Sequence, residues 1–449
     1  MEGVAAERRT EEKKQGYMSN QRKPSPVPTY LLIGFLAVLA VLTGYNYFFQ
    51  PFASSKQQQS EETTQSAPTA PPTQQLFQNK QEEIAALVAN MTPDQKVAQL
   101  LAAPVNAQEL VATFSARAVM YERAQESDPY VSFLDGSAPT SVEQQPGLLT
   151  IEEYFLKDWG FVTLFGTNIS VDEARAAILF LKSGDTEPVD RWILVDHEGG
   201  TVQRLSGAGF TDLPSWQQYC QTELPERIPL LTASAAELKG IGVDAVLAPM
   251  LDIATNHPVL KTRVCSGDPL IVFEAVKEFV TIFNENQVLP VLKHFPGIGS
   301  TTKDLHVASD SVTVSDNDVS LYRAVLDVYP YSAVMVSHAA VQSQDSTQPC
   351  SLSRDCVGQI YAEYPDVLTF SDALEMQSTG IDNKEVFLED VALQAVQAGT
   401  TVLVFGEGVS QSELKIVHER LVREYTNSFE FRELVNQNVA RILQYKLAK

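Results

Sequence analysis

The stretch KHFPGIGSTTKDLHVASD, Lys293 to Asp310, places two histidines, two lysines, two aspartates and two glycines within eighteen residues. The chain has six histidines, so a third of them fall here. Imidazoles beside carboxylates and amines are the groups of general acid–base chemistry. A solvated loop can carry charge without this assortment. Other polar residues stand just beyond short apolar runs in the same way. Asp196 follows WILV, Asp252 follows AVLAP, Lys293 and His294 follow VLPVL, His338 follows AVMVS and Asp372 follows VLTFS. One such residue is ordinary loop polarity. The repetition at five run ends points to a shared face.

The elements that must position these groups recur from residue 78 onward. The runs read as strands are 98–104, 161–165, 192–195, 245–249, 288–292, 333–337, 367–371 and 401–405. They are continuously apolar, as parallel strands buried on both faces require. Amphipathic stretches of helical length lie between them, among them SVDEARAAILFLKS, DPLIVFEAVKEFVTIFNEN and NKEVFLEDVALQAVQAG, the last closed by Gly399 as a C-cap. Eight strands alternating with helices predict an α/β fold of the (β/α)8 TIM-barrel type, with an insertion near residues 106–147. An open doubly wound sheet is the competing architecture, but the Gly-rich phosphate turn after its first strand is missing. In a barrel, all five polar strand ends open on the C-terminal face, where active sites are built.

Composition sets further bounds. The chain has 449 residues, 44% of them apolar, which is ample for a large core. A net charge of −23 argues against general nucleic-acid binding. Cys220, Cys265, Cys350 and Cys356 are too few for a disulfide scaffold and lack paired C-x-x-C spacing, so no metal is expected. Cys350 and Cys356 are close enough to pair, with free thiols the alternative. Residues 1–29 are polar and carry Lys13, Lys14, Arg22 and Lys23. YLLIGFLAVLAVLTGYNYFF, residues 30–49, is twenty residues without charge and aromatic at both ends, the length and edge chemistry of a membrane span. The lysine and arginine bias predicts a cytoplasmic N-terminus. A cleaved signal peptide is the alternative, but no good A-x-A site follows. Residues 50–77 are rich in Gln, Ser, Thr and Pro and read as a flexible tether, leaving a barrel over 78–449 outside the cytoplasm.

Three segments resemble motifs of glycoside hydrolase family 3: VDHEGGTVQRL (195–205), KHFPGIGSTTKDLH (293–306) and LTFSDALEM (368–376). APMLDIATNHPVLKTRVCSGDP (248–269) fits more loosely. The resemblance spans about residues 80–445 and is strongest to the bacterial β-N-acetylglucosaminidases of the family. It implies a retaining exo-glycosidase that removes N-acetylglucosamine from cell-wall fragments. By position, Asp372 is the nucleophile that forms a covalent glycosyl-enzyme. The acid/base is His306 paired with Asp304, whose carboxylate can orient the imidazole and stabilise its charged form. Lys293, His294, Asp196, Arg204 and Arg263 match positions that contact the sugar. No cofactor is implied. The expected partners are a glycan containing N-acetylglucosamine and, through residues 30–49, a membrane, with the barrel acting as a monomer.

The chain departs from the family pattern at four places. Ile298 replaces a usual histidine, Ser300 a usual aspartate, and Arg263-Val264-Cys265 a usual Arg-Ser-Phe, while the residues after His306 lack a usual proline. These changes affect the shape of the loop rather than the dyad. A family phosphorylase with the same dyad and a degenerate glycan-binding barrel are the competing functions. A β-glucosidase of the family would take its acid/base from a further C-terminal domain, whereas this chain ends in barrel helices.

Overall fold

The computed structural model describes residues 72–113, 159–183, 189–342, 348–380 and 386–448, all in the unit Ala70–Lys449. Eight strands follow in chain order: β1 Leu101–Asn106, β2 Phe161–Phe165, β3 Trp192–Val195, β4 Ala245–Val246, β5 Leu289–Phe295, β6 Ala333–Val336, β7 Thr369–Ser371 and β8 Leu403–Val404. Neighbours in sequence pair in parallel from β1 to β7, and β8 pairs with β1. A parallel bridge between Phe370 and Val402 joins β7 to the start of β8. Ser371 N–H also donates to Val402 O at 2.9 Å. The ring is therefore a TIM-type barrel and not an open sheet.

Side chains two apart along a strand share a face. Leu194, Val291 and Phe370 belong to the apolar cluster that also holds Phe161, Met335 and Leu403. Their neighbours two residues on, Asp196, Lys293 and Asp372, line the cleft at the barrel mouth. Strand parity thus carries the core outward into the site. The helices pack around the ring. Pro269–Glu285 starts where Asp268 Oδ1 accepts the Leu270 N–H at 2.9 Å, and it buries seven apolar side chains. Leu388–Ala398 ends at Gly399 with φ 109°, the left-handed cap expected from the sequence.

Several boundaries differ from expectation. The first strand begins at Leu101 rather than 98, because Thr92 and Gln95 form a capping box that starts the helix Pro93–Ala98 just before it. β5 runs on through Lys293 and His294 to Phe295, so these residues belong to the strand instead of following it. The tether expected over 50–77 is overlapped by a helix, Pro72–Asn90, that opens on a proline suited to a first helical turn. The expected tail, the span 30–49 and most of the tether lie outside the described residues, as does the insertion from residue 114. Among the described residues no helix is long and apolar enough to cross a membrane. All four cysteines are paired, as Cys220–Cys265 and Cys350–Cys356.

Candidate active site

The floor of the site is an ion-pair hub built from β3, β5 and the segment after β4. Glu198 stands in a short hairpin, His197–Gly199 paired with Val202–Gln203, directly after β3. The hairpin needs glycine at its turn: Gly199 has φ 93°, and a Cβ there would lie 2.3 Å from the Pro214 carbonyl oxygen. Glu198 is 3% exposed. Its two oxygens each take a bond from Arg263, Nε and Nη2, both at 2.8 Å. Lys293 Nζ lies 2.6 Å from Glu198 Oε1 and 2.9 Å from Asp196 Oδ1. Burial alone would raise the Glu198 pKa, but Arg263 and Lys293 outweigh it and hold the carboxyl well below the usual range. Burial would likewise discharge Lys293, yet Asp196 and Glu198 together raise its pKa and keep it cationic. Arg204 completes the rim, with its guanidinium 5.6 Å above the Phe165 ring and its Nε 4.0 Å from Asp196 Oδ2.

Asp252, 1% exposed, anchors the next part of the floor. Its Oδ2 accepts the His294 Nδ1–H at 2.8 Å, and its Oδ1 accepts the Ile298 N–H at 2.8 Å. The Ile298 side chain packs into the core at 5% exposure. At the end of β7, Asp372 Oδ1 accepts the Ala373 N–H at 2.9 Å. Burial raises its pKa, but the imidazoles of His294 and His338 and the Ala373 N–H more than offset this, and the net shift is downward. Asp372 is therefore an anion facing the cleft. His338, 1% exposed, must donate from Nε2 to the Ala373 carbonyl at 2.9 Å, so its Nδ1 accepts from Ser351 Oγ at 2.6 Å. Burial pushes the His338 pKa down against the pull of Asp372, as a neutral ring in these bonds requires.

The loop after β5 carries the exposed half. Asp304 Oδ1 accepts both the His306 Nδ1–H at 2.8 Å and the His306 backbone N–H at 3.0 Å. The backbone bond leads in holding the Asp304 pKa low. The two side chains are 47% and 65% exposed, far more open than the floor. Two clasps shape the loop. Asp310 accepts the N–H groups of Thr302 (2.7 Å), Lys303 (2.9 Å) and Ser311 (2.9 Å). Ser300 Oγ donates to Thr313 O at 3.2 Å and accepts the Thr313 N–H at 3.1 Å. The tip is pinned to the segment after β7, where Gln377 and Ser378 N–H groups donate to His306 O and Leu305 O, both at 3.2 Å.

Asp196, Arg204, Arg263, Lys293, His294, Asp304, His306 and Asp372 all line one cleft of about 400 Å³, a volume suited to a small saccharide. All eight residues singled out from the sequence therefore meet at one place. Glu198 was missed, although it stands two residues after Asp196 in the quoted motif and could have been read as the same inward face continued. His338 and Asp252 were read only as strand-end polarity. They support Asp372 and His294 from behind. Among the described residues no cluster of acidic, histidine and cysteine side chains suits a metal ion.

The barrel and this cleft define an enzyme class in which carboxylates and imidazoles are gathered at strand ends around a small ligand. The glycosyl hydrolase family 3 N terminal domain matches residues 156–445, and the chain belongs to that family. It is 28% identical over 293 residues to the β-hexosaminidase LpqI of Mycobacterium tuberculosis, covering 62% of this chain and 73% of that protein. It is 32% identical over 263 residues to a β-hexosaminidase of Methylococcus capsulatus, covering 55% of this chain and 75% of the relative. The crystal structure of a β-N-acetylhexosaminidase from Beutenbergia cavernae superposes with a TM-score of 0.64 at 22% identity, covering 80% of this chain and 99% of that one.

Proposed function

We propose that the chain is a retaining exo-β-N-acetylglucosaminidase that releases terminal N-acetylglucosamine from cell-wall fragments through a glycosyl-aspartate. The observation that carries this reading is the His306–Asp304 hydrogen bond of 2.8 Å in the cleft that also holds the anionic Asp372. In the first step the Asp372 carboxylate attacks the anomeric carbon as the bond to the leaving oxygen breaks. His306 keeps Nδ1–H on Asp304 and gives its Nε2 proton to that oxygen. In the second step the Nε2 lone pair takes a proton from water, which attacks the anomeric carbon and frees Asp372. Double displacement retains the β configuration. Asp196, Arg204, Arg263, Lys293 and His294 hydrogen-bond the sugar hydroxyls from the floor. The hexosaminidase relatives support N-acetylglucosamine as the sugar.

The reading is tested with 4-nitrophenyl N-acetyl-β-glucosaminide, following the first-formed sugar by NMR. Phosphate-independent release of the β-anomer is expected. Release only with inorganic phosphate would establish the phosphorylase reading, and no release from a folded protein would leave a glycan-binding barrel.

The apolar run 30–49 supports a single membrane anchor with residues 1–29 in the cytoplasm. The two disulfides support an oxidising compartment for the barrel. Protease added to intact cells is expected to release a folded fragment that begins after Ser54 and no later than the helix at Pro72. A barrel that stays protected would overturn this orientation.

A further inference from the structure

His257 lies outside the cleft lining and is 4% exposed. Its Nδ1 accepts two backbone N–H groups, from Val259 at 3.1 Å and Leu260 at 3.0 Å. Two donors on one nitrogen require a bare lone pair there, so the ring proton sits on Nε2. Nε2 is 3.2 Å from Thr301 Oγ1, and that hydroxyl in turn donates to Ile298 O at 2.9 Å. Burial lowers the His257 pKa against the nearby Asp252 carboxylate, which favours the neutral ring these bonds need.

The two ends of this chain of bonds lie on different loops. Leu260 leads into the short turn Lys261–Arg263, where Arg263 N–H donates to Leu260 O at 2.9 Å, so one end sets the arginine that pairs with Glu198. Thr301 is 4% exposed and stands three residues before Asp304 in the dyad loop. Leu260 and Thr301 both line the cleft. His257 cannot reach a substrate, but it joins the wall that holds the sugar to the loop that delivers the proton.

We infer that His257 is a positioning residue, a neutral imidazole strut that fixes the His306–Asp304 loop relative to the Arg263 turn through Thr301. This rests on His306 being the acid/base. The strut has two separable halves. An asparagine at 257 places Oδ1 where the imidazole has Nδ1, so it still accepts the Val259 and Leu260 N–H groups while losing the reach to Thr301. His257→Ala removes both halves and opens the turn.

The test compares kcat/KM for a chitobiose-type disaccharide, which needs the acid, with that for the nitrophenyl glycoside, whose leaving group needs little help. Loss of loop register should lower the disaccharide value about tenfold more than the nitrophenyl value in His257→Asn. Thr301→Val, which also loses the hydroxyl's bond to Ile298 O, should lower the ratio at least as much. The double variant should lose no more than Thr301→Val alone, because the His257–Thr301 bond is already gone in each single variant. A change in folded fraction scales both substrates equally and leaves the ratio unmoved. An unchanged ratio in His257→Asn and Thr301→Val, or losses that multiply in the double variant, would overturn the strut. A wild type that turns over neither substrate would instead overturn the hydrolase reading itself.

Discussion

The floor of the cleft and its acid/base loop solve opposite problems. On the floor, Glu198 and Lys293 are 3% and 2% exposed and share charge-assisted bonds with Arg263 and Asp196. On the loop, His306 and Asp304 are paired at the same distance but stand largely in solvent. A sugar hydroxyl is best held by groups that do not reorganise, so burial and mutual pairing preset the floor. A proton shuttle must serve a departing oxygen and then a water molecule, so its imidazole stays accessible. The clasps at Asp310 and Ser300, with the buried side chains of Ile298, Thr301 and Leu305, give that loop its shape while the dyad itself stays open. The difference shows one cleft dividing rigidity and access between strand and loop.

The comparison can be broken first at the residue where the two regions meet. Asp372→Ala should lower turnover of every substrate by on the order of 10⁴-fold while the far-UV and near-UV spectra stay native, because only the covalent step is lost. Activity within a few hundredfold of wild type would place the nucleophile elsewhere.

The second prediction sharpens the contrast in stability. Glu198→Ala leaves Arg263 and Lys293 buried with one fewer anion between them, which should cost about 3–5 kcal/mol of unfolding free energy. Asp304→Ala, on the solvated side, should cost about 1 kcal/mol or less. Urea denaturation of the two variants measures both, and equal losses would show that the floor is not the preset half.

The smallest effect is one of pH. Burial depresses the His197 pKa from 6.5 to about 4, and burial also lowers those of His257 and His338. A histidine whose folded pKa is depressed takes its proton in the unfolded chain first. Its contribution is therefore complete above about pH 6.5 and is lost as pH falls toward the folded value. For His197 the loss should be about 1.4 kcal/mol per pH unit between about 6.5 and 4. Thermal stability should thus be level above neutrality and fall through this window, and His197→Gln should make the fall shallower. A profile that His197→Gln leaves unaltered would remove that residue from the account.

Much of this arrangement was legible in the sequence because strand parity carries it. Leu194, Val291 and Phe370 announce buried strands, and the polar residue two places on must share their inward face. Glu198 was only partly legible: its place two residues after Asp196 marks the inward face, but nothing local marks a glutamate in a two-glycine hairpin as buried between cations from two other segments. His257 was not singled out, and Asp310 was counted in its stretch but given no role, for a different reason: their partners are mainly backbone N–H groups, which every sequence supplies. The Cys220–Cys265 bridge joins residues 45 apart and depends on the helix Trp216–Gln221 meeting the Arg263 segment, which spacing cannot reveal. The start of the first helix at Pro72 was hidden by composition, because a Gln- and Pro-rich stretch reads as tether until the chain beyond it supplies a docking surface such as the bond from Lys80 Nζ to Leu447 O at 2.7 Å.

The division between a preset floor and an exposed proton shuttle rests on His306, and its leaving-group dependence tests it most directly. His306→Ala should cripple turnover of a chitobiose-type disaccharide while leaving the first, bond-breaking step on the nitrophenyl glycoside nearly intact. The glycosyl-enzyme should then accumulate on Asp372, visible as a mass adduct, and azide should restore turnover by forming the β-glycosyl azide. Equal losses on both substrates, with no adduct and no azide product, would show that the loop bearing Asp304 and His306 does not serve as the acid/base.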